Sequence, residues 1–251
     1  TADGRRETGI VTDMTQIWAH RGASGDAPEN TLPAMEEALE QGADGVELDV
    51  QLTRDDEVVV IHDETLERTT DGAGWVADHS LEELRRLDAS GGREGFAGAR
   101  IPLLREVLDL VAGAGRLVNI ELKNNKLRYH GLEERVLQIV AEAGAKDQVI
   151  LSSFNHYSLR RILGLRPSTE LGALYSDPLF KPWKYVDKLG VGAIHPPMRW
   201  ANRKVIDKSQ ERGLSVHVWT VNAEKDIRAM IDRGVDAIIT DVPRRARNVR
   251  G

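Results

Sequence analysis

The sequence predicts an α/β protein: a single (βα)8 TIM barrel with a small insertion after its second strand. Three observations predict it. Strand-like and helix-like segments alternate almost from end to end, which implies a parallel sheet. Eight such units fit into 251 residues, and a closed barrel typically needs about 250. No Gly-x-Gly-x-x-Gly follows the first strand, so an open dinucleotide-binding sheet loses its main support. Apolar residues make up 41% of the chain, enough for one large core and too many for disorder.

The elements follow in order. Ile17-Trp18-Ala19 is the first apolar run and ends in His20-Arg21-Gly22. Asn30 or Thr31 can cap the helix that follows, Pro33 is tolerated in its first turn, and Gly42 closes it. Gly45 to Leu52 reads as the second strand. Another extended piece, Val58 to Ile61, ends at His62-Asp63. The irregular stretch of about 64–100 is the expected insertion, with one helix at Ser80 to Leu87 that carries a capping box of Ser80 and Glu83. Further strands are expected at 117–122, 149–154, 171–175, 193–195, 216–221 and 237–240, with helices at 103–111, 132–143, 156–165, 183–189, 202–212, 223–233 and after Pro243. Residues 1–13 are polar and are expected to be a flexible extension; residues 14–251 form the single barrel domain.

Composition excludes several classes. A net charge of −6 argues against a nucleic-acid binder that holds phosphates by bulk charge. No apolar run reaches the roughly 20 residues that span a bilayer, so no stable membrane insertion is expected. The absence of cysteine removes disulfides and zinc–thiolate sites. It fits a cytoplasmic protein, although a secreted or periplasmic chain after signal removal would read the same. The expected partner is a small molecule, bound by a monomer or small homo-oligomer.

Ionisable residues collect where strands end, which in such barrels is the active-site face. Glu47 and Asp49 are two apart in a strand and so point to one side, while Val46, Leu48 and Val50 point to the other. Both carboxylates are therefore expected inside the barrel. Glu121, between Ile120 and Leu122, repeats the pattern. Three converging carboxylates without cysteine suit one hard divalent cation, Mg2+ or Ca2+. The alternative is an interior salt bridge of Glu47 or Asp49 with Lys123 or Arg21. His20 and His62 are candidate acid–base residues, because histidine titrates near neutrality. Arg21 and Lys123 bring positive charge suited to a phosphate. Phe154 and Trp219 are candidate apolar walls, with packing the commoner role of single aromatics. His195 and His217 read first as interior residues, and His79, His130 and His156 as surface or loop residues.

The ordered set of motifs resembles the glycerophosphodiester phosphodiesterase family. The match runs through His20-Arg21-Gly22, Glu29-Asn30-Thr31, Glu47-Leu48-Asp49-Val50, His62-Asp63 and Leu66-Glu67-Arg68-Thr69-Thr70. It continues through Ile120-Glu121-Leu122-Lys123, His217 to Asn222, and Ile239-Thr240-Asp241-Val242-Pro243. The resemblance implies a cation held by Glu47, Asp49 and Glu121, acid–base work by His20 and His62, and phosphate contact by Arg21 and Lys123. It implies that Glu29 and Asn30 line or brace the pocket. The implied reaction converts a glycerophosphodiester to glycerol 3-phosphate and an alcohol. Where the family often has an aromatic pair near the end of the insertion, this chain reads Ala89-Ser90-Gly91-Gly92-Arg93-Glu94-Gly95-Phe96. Leu103-Leu104-Arg105-Glu106 also departs from the common pattern, so headgroup preference stays open. The rival readings are a lysophospholipase D or sphingomyelinase D-like enzyme, a non-catalytic barrel that binds phosphorylated ligands, and, by fold analogy alone, a sugar-phosphate isomerase.

Overall fold

The computed structural model describes residues 14–165 and 167–251; the extension expected over residues 1–13 lies outside them. Strand β1 (Gln16–His20) leads into α1 (Leu32–Glu40), then β2 (Gly45–Leu52) and β3 (Val58–Val60). The insertion holds α2 (Leu81–Leu84) and is followed by α3 (Leu104–Val111) and β4 (Leu117–Leu122). The alternation continues through α4 (Leu132–Glu142), β5 (Val149–Ser153), α5 (His156–Gly164), β6 (Glu170–Leu174) and α6 (Pro182–Leu189). It ends with β7 (Ala193–His195), α7 (Arg203–Gln210), β8 (Ser215–Val218), α8 (Glu224–Asp232), β9 (Ala237–Thr240) and α9 (Pro243–Arg250).

Eight of these strands close into a parallel barrel in the order β1-β9-β8-β7-β6-β5-β4-β2, with β1 pairing back onto β2. The extra piece, β3, is antiparallel to β2, with Val50 opposite Val60 and Leu52 opposite Val58. That hairpin returns the chain toward the C-terminal end of the barrel strands and delivers His62 and Asp63 there.

Local chemistry accounts for the element ends. Thr31, not Asn30, caps α1 by accepting from the Ala34 N–H. Asn30 instead takes a left-handed φ of 57° and faces the site. The capping box of Ser80 and Glu83 forms as expected, but α2 stops at Leu84, three residues early. Its stop is a turn in which the Leu87 N–H returns to the Leu84 carbonyl. The helices bury regular stripes: Leu104, Val107, Leu108 and Val111 on α3, and Leu132, Val136, Ile139 and Val140 on α4. Each such side chain stabilises the fold by about 1.5–3 kcal/mol when fully buried.

The main core lies between strands and helices, where Val46, Leu48, Val50, Ile120 and Leu122 face outward. A smaller cluster of Trp18, Ile150, Ala237 and Ile239 plugs the barrel interior below the site. The insertion has a core of its own, made of Val59, Ile61, Leu66, Val76, Leu84, Ala89 and Ile101. No helix among the described residues is long and apolar enough to cross a membrane.

Candidate active site

The period-two pattern of β2 and β4 puts Glu47, Asp49 and Glu121 inside the barrel. All three are buried, and one carboxylate oxygen of each lies within 4.8 Å of the others. Adjacent register explains the convergence, because Asp49 pairs with Glu121 across β2 and β4. Burial, and then the neighbouring charges of Asp49 and Glu121, push Glu47 well above its usual value of 4.5. Burial likewise pushes Glu121 up to about 7, against the pull of Lys123. Asp49 is equally buried, but Lys123 and Arg21 hold its carboxyl well below the ordinary 3.8.

The alternative of an interior salt bridge is thus partly realised. Lys123 Nζ lies 2.9 Å from Glu121 and 3.6 Å from Asp49, and Arg21 Nε lies 3.4 Å from Asp49. Among the described residues, however, the Glu47 carboxylate receives only the Arg21 backbone N–H at 3.2 Å, with the His20 ring 3.9 Å away. The cluster is short of positive charge at Glu47, and its all-oxygen donor set suits a hard divalent cation. These three residues fit such an ion.

Both histidines are oriented by a carboxylate at Nδ1. His20 Nδ1 is 2.6 Å from Asp241, and His62 Nδ1 is 2.6 Å from Asp63. Nε2 is then the atom each ring turns to the site: on His20 toward Glu47 and on His62 toward Lys123 Nζ at 3.2 Å. Burial holds His62 below its usual 6.5, with Lys123 and Arg21 adding to that against Asp49. Gln51 fixes the backbone around His62 by sharing its amide among the carbonyls of Ile61, His62 and Asp63 at 3.3, 3.0 and 2.5 Å.

Arg21 sits at a left-handed φ of 58°, directly before Gly22 at 79°. A Cβ at Gly22 would lie 2.6 Å from the Ala34 backbone, so only glycine lets this turn pack on α1. The turn points the Arg21 side chain inward, where Nη1 bonds Glu29 at 2.8 Å, while buried Nε faces Asp49 at 3.4 Å and makes no hydrogen bond among the described residues. A guanidinium held at the strand ends in this way brings charge and donors suited to a phosphate. Asn30 braces Asp49, donating to its carboxylate at 2.9 Å and accepting its backbone N–H at 3.3 Å. Phe154 and Trp219 pack edge to face at 5.6 Å, and the indole N–H donates to the His195 carbonyl at 2.8 Å.

The structure thus gathers the expected residues on one end of the barrel. His195 and His217 are interior, as read first, with Nε2 of one 2.9 Å from Nδ1 of the other. Burial drives His195 down to about 3, so this pair is neutral. His156 opens α5, as expected, and lies partly exposed, with its ring tied to the Leu174 carbonyl and the Tyr185 hydroxyl at 2.8 and 2.7 Å. Sequence reasoning missed Asp241, Asp63, Gln51 and Arg68 as site residues. Asp63 was signalled by its place next to His62, and Asp241 by its place at the end of the last strand; Gln51 continues the inward-facing series of Glu47 and Asp49.

A closed α/β barrel with an acidic cluster, two carboxylate-held histidines and two cations at its strand ends defines a phosphodiester-hydrolase class of enzyme. The chain matches the model of the glycerophosphoryl diester phosphodiesterase family over residues 20–245. It is 44% identical over 230 residues to a glycerophosphodiester phosphodiesterase of Caldanaerobacter subterraneus subsp. tengcongensis, covering 91% of this chain and 95% of that one. It is 44% identical over 241 residues to a glycerophosphodiester phosphodiesterase of Bacillus altitudinis, covering 94% and 98%. A solved Oleispira antarctica phosphodiesterase, in complex with the product sn-glycerol-3-phosphate, superposes with a TM-score of 0.84 at 30% identity, covering 94% of this chain and 96% of that one. The chain belongs to the glycerophosphoryl diester phosphodiesterase family and is an enzyme of the phosphoric diester hydrolase class.

Proposed function

We propose that this enzyme hydrolyses glycerophosphodiesters to sn-glycerol 3-phosphate and an alcohol, using His20 and His62 for proton transfer and one divalent cation, Mg2+ or Ca2+, held by Glu47, Asp49 and Glu121. The observation that carries the reading is the arrangement around the acidic cluster. A histidine flanks it on each side, each held at Nδ1 by its own aspartate. The Oleispira relative, with its bound sn-glycerol-3-phosphate, supports the substrate class.

The chain's own groups divide the work. Arg21 and Lys123 bind and orient the phosphate by their positive charge. His62, held neutral by burial, accepts a proton at Nε2 from the attacking hydroxyl, and His20 donates one to the leaving alkoxide. Each such group is worth about 10²–10⁴-fold in rate. The bound cation supplies Lewis-acid stabilisation of the phosphate charge, worth several kcal/mol. Asp241 and Asp63 each take the Nδ1–H of their ring, which leaves Nε2 facing the phosphate, bare on His62 to accept a proton and protonated on His20 to donate one. Phe154 and Trp219 form an apolar wall beside it.

The test is product analysis and kcat/KM for glycerophosphoethanolamine against a simple dialkyl phosphate, each with and without chelator. The expected result is glycerol 3-phosphate from the glycerol diester alone, with activity lost on chelation. Equal turnover of both diesters would reduce the substrate claim to a generic phosphodiester. Binding without turnover of either would replace the enzymatic claim by ligand binding.

A further inference from the structure

The Leu66-to-Thr70 motif has no part in the reaction as proposed, yet it places one residue at a junction of the site. Arg68 bonds two carboxylates at once. Its Nη1 and Nη2 donate to Glu29 at 2.7 and 2.8 Å, and its Nε and Nη2 donate to Asp63 at 2.5 and 3.1 Å. Glu29 in turn holds Arg21 at 2.8 Å, and Asp63 holds His62 at 2.6 Å. Arg21 and Lys123 both reach Asp49, at 3.4 and 3.6 Å, and Lys123 reaches His62 at 3.2 Å. The contacts close a ring: Asp49, Arg21, Glu29, Arg68, Asp63, His62, Lys123 and back to Asp49. Within that ring, Arg68 is the member contributed by the insertion.

We propose that Arg68 is a positioning residue that sets the spacing between His62 and Arg21, and that holding it there is the role of the insertion's small core. Arg68 touches neither the acidic cluster nor the acid–base atoms, so it acts through Asp63 and Glu29. Its anchor is Leu66, two residues earlier, fully buried among Val59, Ile61, Val76 and Leu84. The Leu66 N–H bonds the Gly74 carbonyl at 3.0 Å, and its carbonyl accepts the Thr70 hydroxyl at 2.7 Å. The segment is therefore rigid where Arg68 leaves it. Without the guanidinium, two half-buried carboxylates would face each other with nothing between them. They would separate, and each would carry its partner, a histidine or an arginine, with it. Consistent with that, the hydrogen bond from Arg68 is the leading reason that Asp63 lies far below its usual 3.8. Stability is a poor explanation for this contact: the Arg68 side chain is 46% exposed, and exposed ion pairs contribute little.

The inference rests on the proposed acid–base role of His62, and the experiment separates the two. Arg68→Ala should lower kcat for glycerophosphoethanolamine by roughly 10- to 100-fold, with KM within about 3-fold and thermal stability nearly unchanged. In a His62→Ala background the same substitution should lose most of that effect, the remainder acting through Glu29 on Arg21. Arg68→Lys keeps the charge but cannot fork to both carboxylates, so it should fall between wild type and alanine; it carries the same cycle if Arg68→Ala does not fold. A wild-type kcat in Arg68→Ala, or the full loss retained without His62, would overturn the positioning role while leaving the reaction intact. A near-wild-type rate in His62→Ala alone has a different signature: it removes the acid–base reading and this inference with it.

Discussion

His20 Nδ1 lies 2.6 Å from Asp241 Oδ1, so the end of the first barrel strand is tied to the end of the last. Asp241 is itself held by Ser24 at 3.0 Å and by Asn222 at 2.5 Å. The carboxylate therefore accepts from His20 Nδ1 and turns Nε2 of the ring to the site. Asp241→Asn should leave the fold intact and lower kcat, by up to the roughly 10²–10⁴-fold that one acid–base group supplies. Steady-state kinetics on the folded variant decides it; an unchanged kcat would free His20 of any need for Asp241.

The same contact has an acid-stability consequence. Burial alone would raise Asp241, but its hydrogen bond and charge interaction with His20 bring it from 3.8 down to about 2. A carboxylate with a lowered folded-state value contributes stability that is present above its unfolded value and lost as pH falls through the folded one. Asp241 should thus contribute to unfolding between about pH 4 and pH 2. In Asp241→Asn, urea midpoints measured over that window should fall less steeply than in wild type. Parallel slopes would count against the assignment.

Cation binding should release protons. Burial and like charge keep Glu47 well above its usual value, and Glu121 stands at about 7. Near pH 7 the metal-free cluster therefore holds protons that a divalent cation must displace. Calorimetric titration with Mg2+ or Ca2+ in buffers of different ionisation enthalpy should show that release at one site. Glu47→Gln should weaken binding and leave the protein folded. Undiminished binding in this variant would move the ion elsewhere.

Gly172 on β6 makes room for the His195 ring. A Cβ there would lie 2.2 Å from His195 Nε2 and within 2.8 Å of two ring carbons. Gly172→Ala should destabilise the barrel by about 1–3 kcal/mol, the usual cost of overpacking. Adding His195→Ala should relieve part of that loss, because the two changes share one space. Thermal melts of the four proteins test the coupling, and strict additivity would place the strain somewhere else.

Much of this protein was legible before any coordinates. Alternating periods of two and 3.6 gave the barrel, and Gly42, Gly144, Gly190, Gly213 and Gly234 marked helix ends that the structure places within three residues. Spacing alone put Glu47 and Asp49 on the inner face of β2, because side chains in a strand alternate strictly. Glu121 followed from the same rule, and the two histidines from their place where strands end. Lys123 and Arg21 were legible as partners of the acids, but the long-range partners were not. Asp241 is 221 positions from His20, and the two meet because β1 pairs with β9 when the barrel closes. Arg68 lies 39 positions from Glu29 and reaches it by a loop whose path is set by the insertion's own core. Periodicity reports which face a side chain takes, a property of local backbone geometry. Which charges then stand opposite one another depends on sheet register, closure and loop packing, and these exist only once distant segments have condensed into one fold.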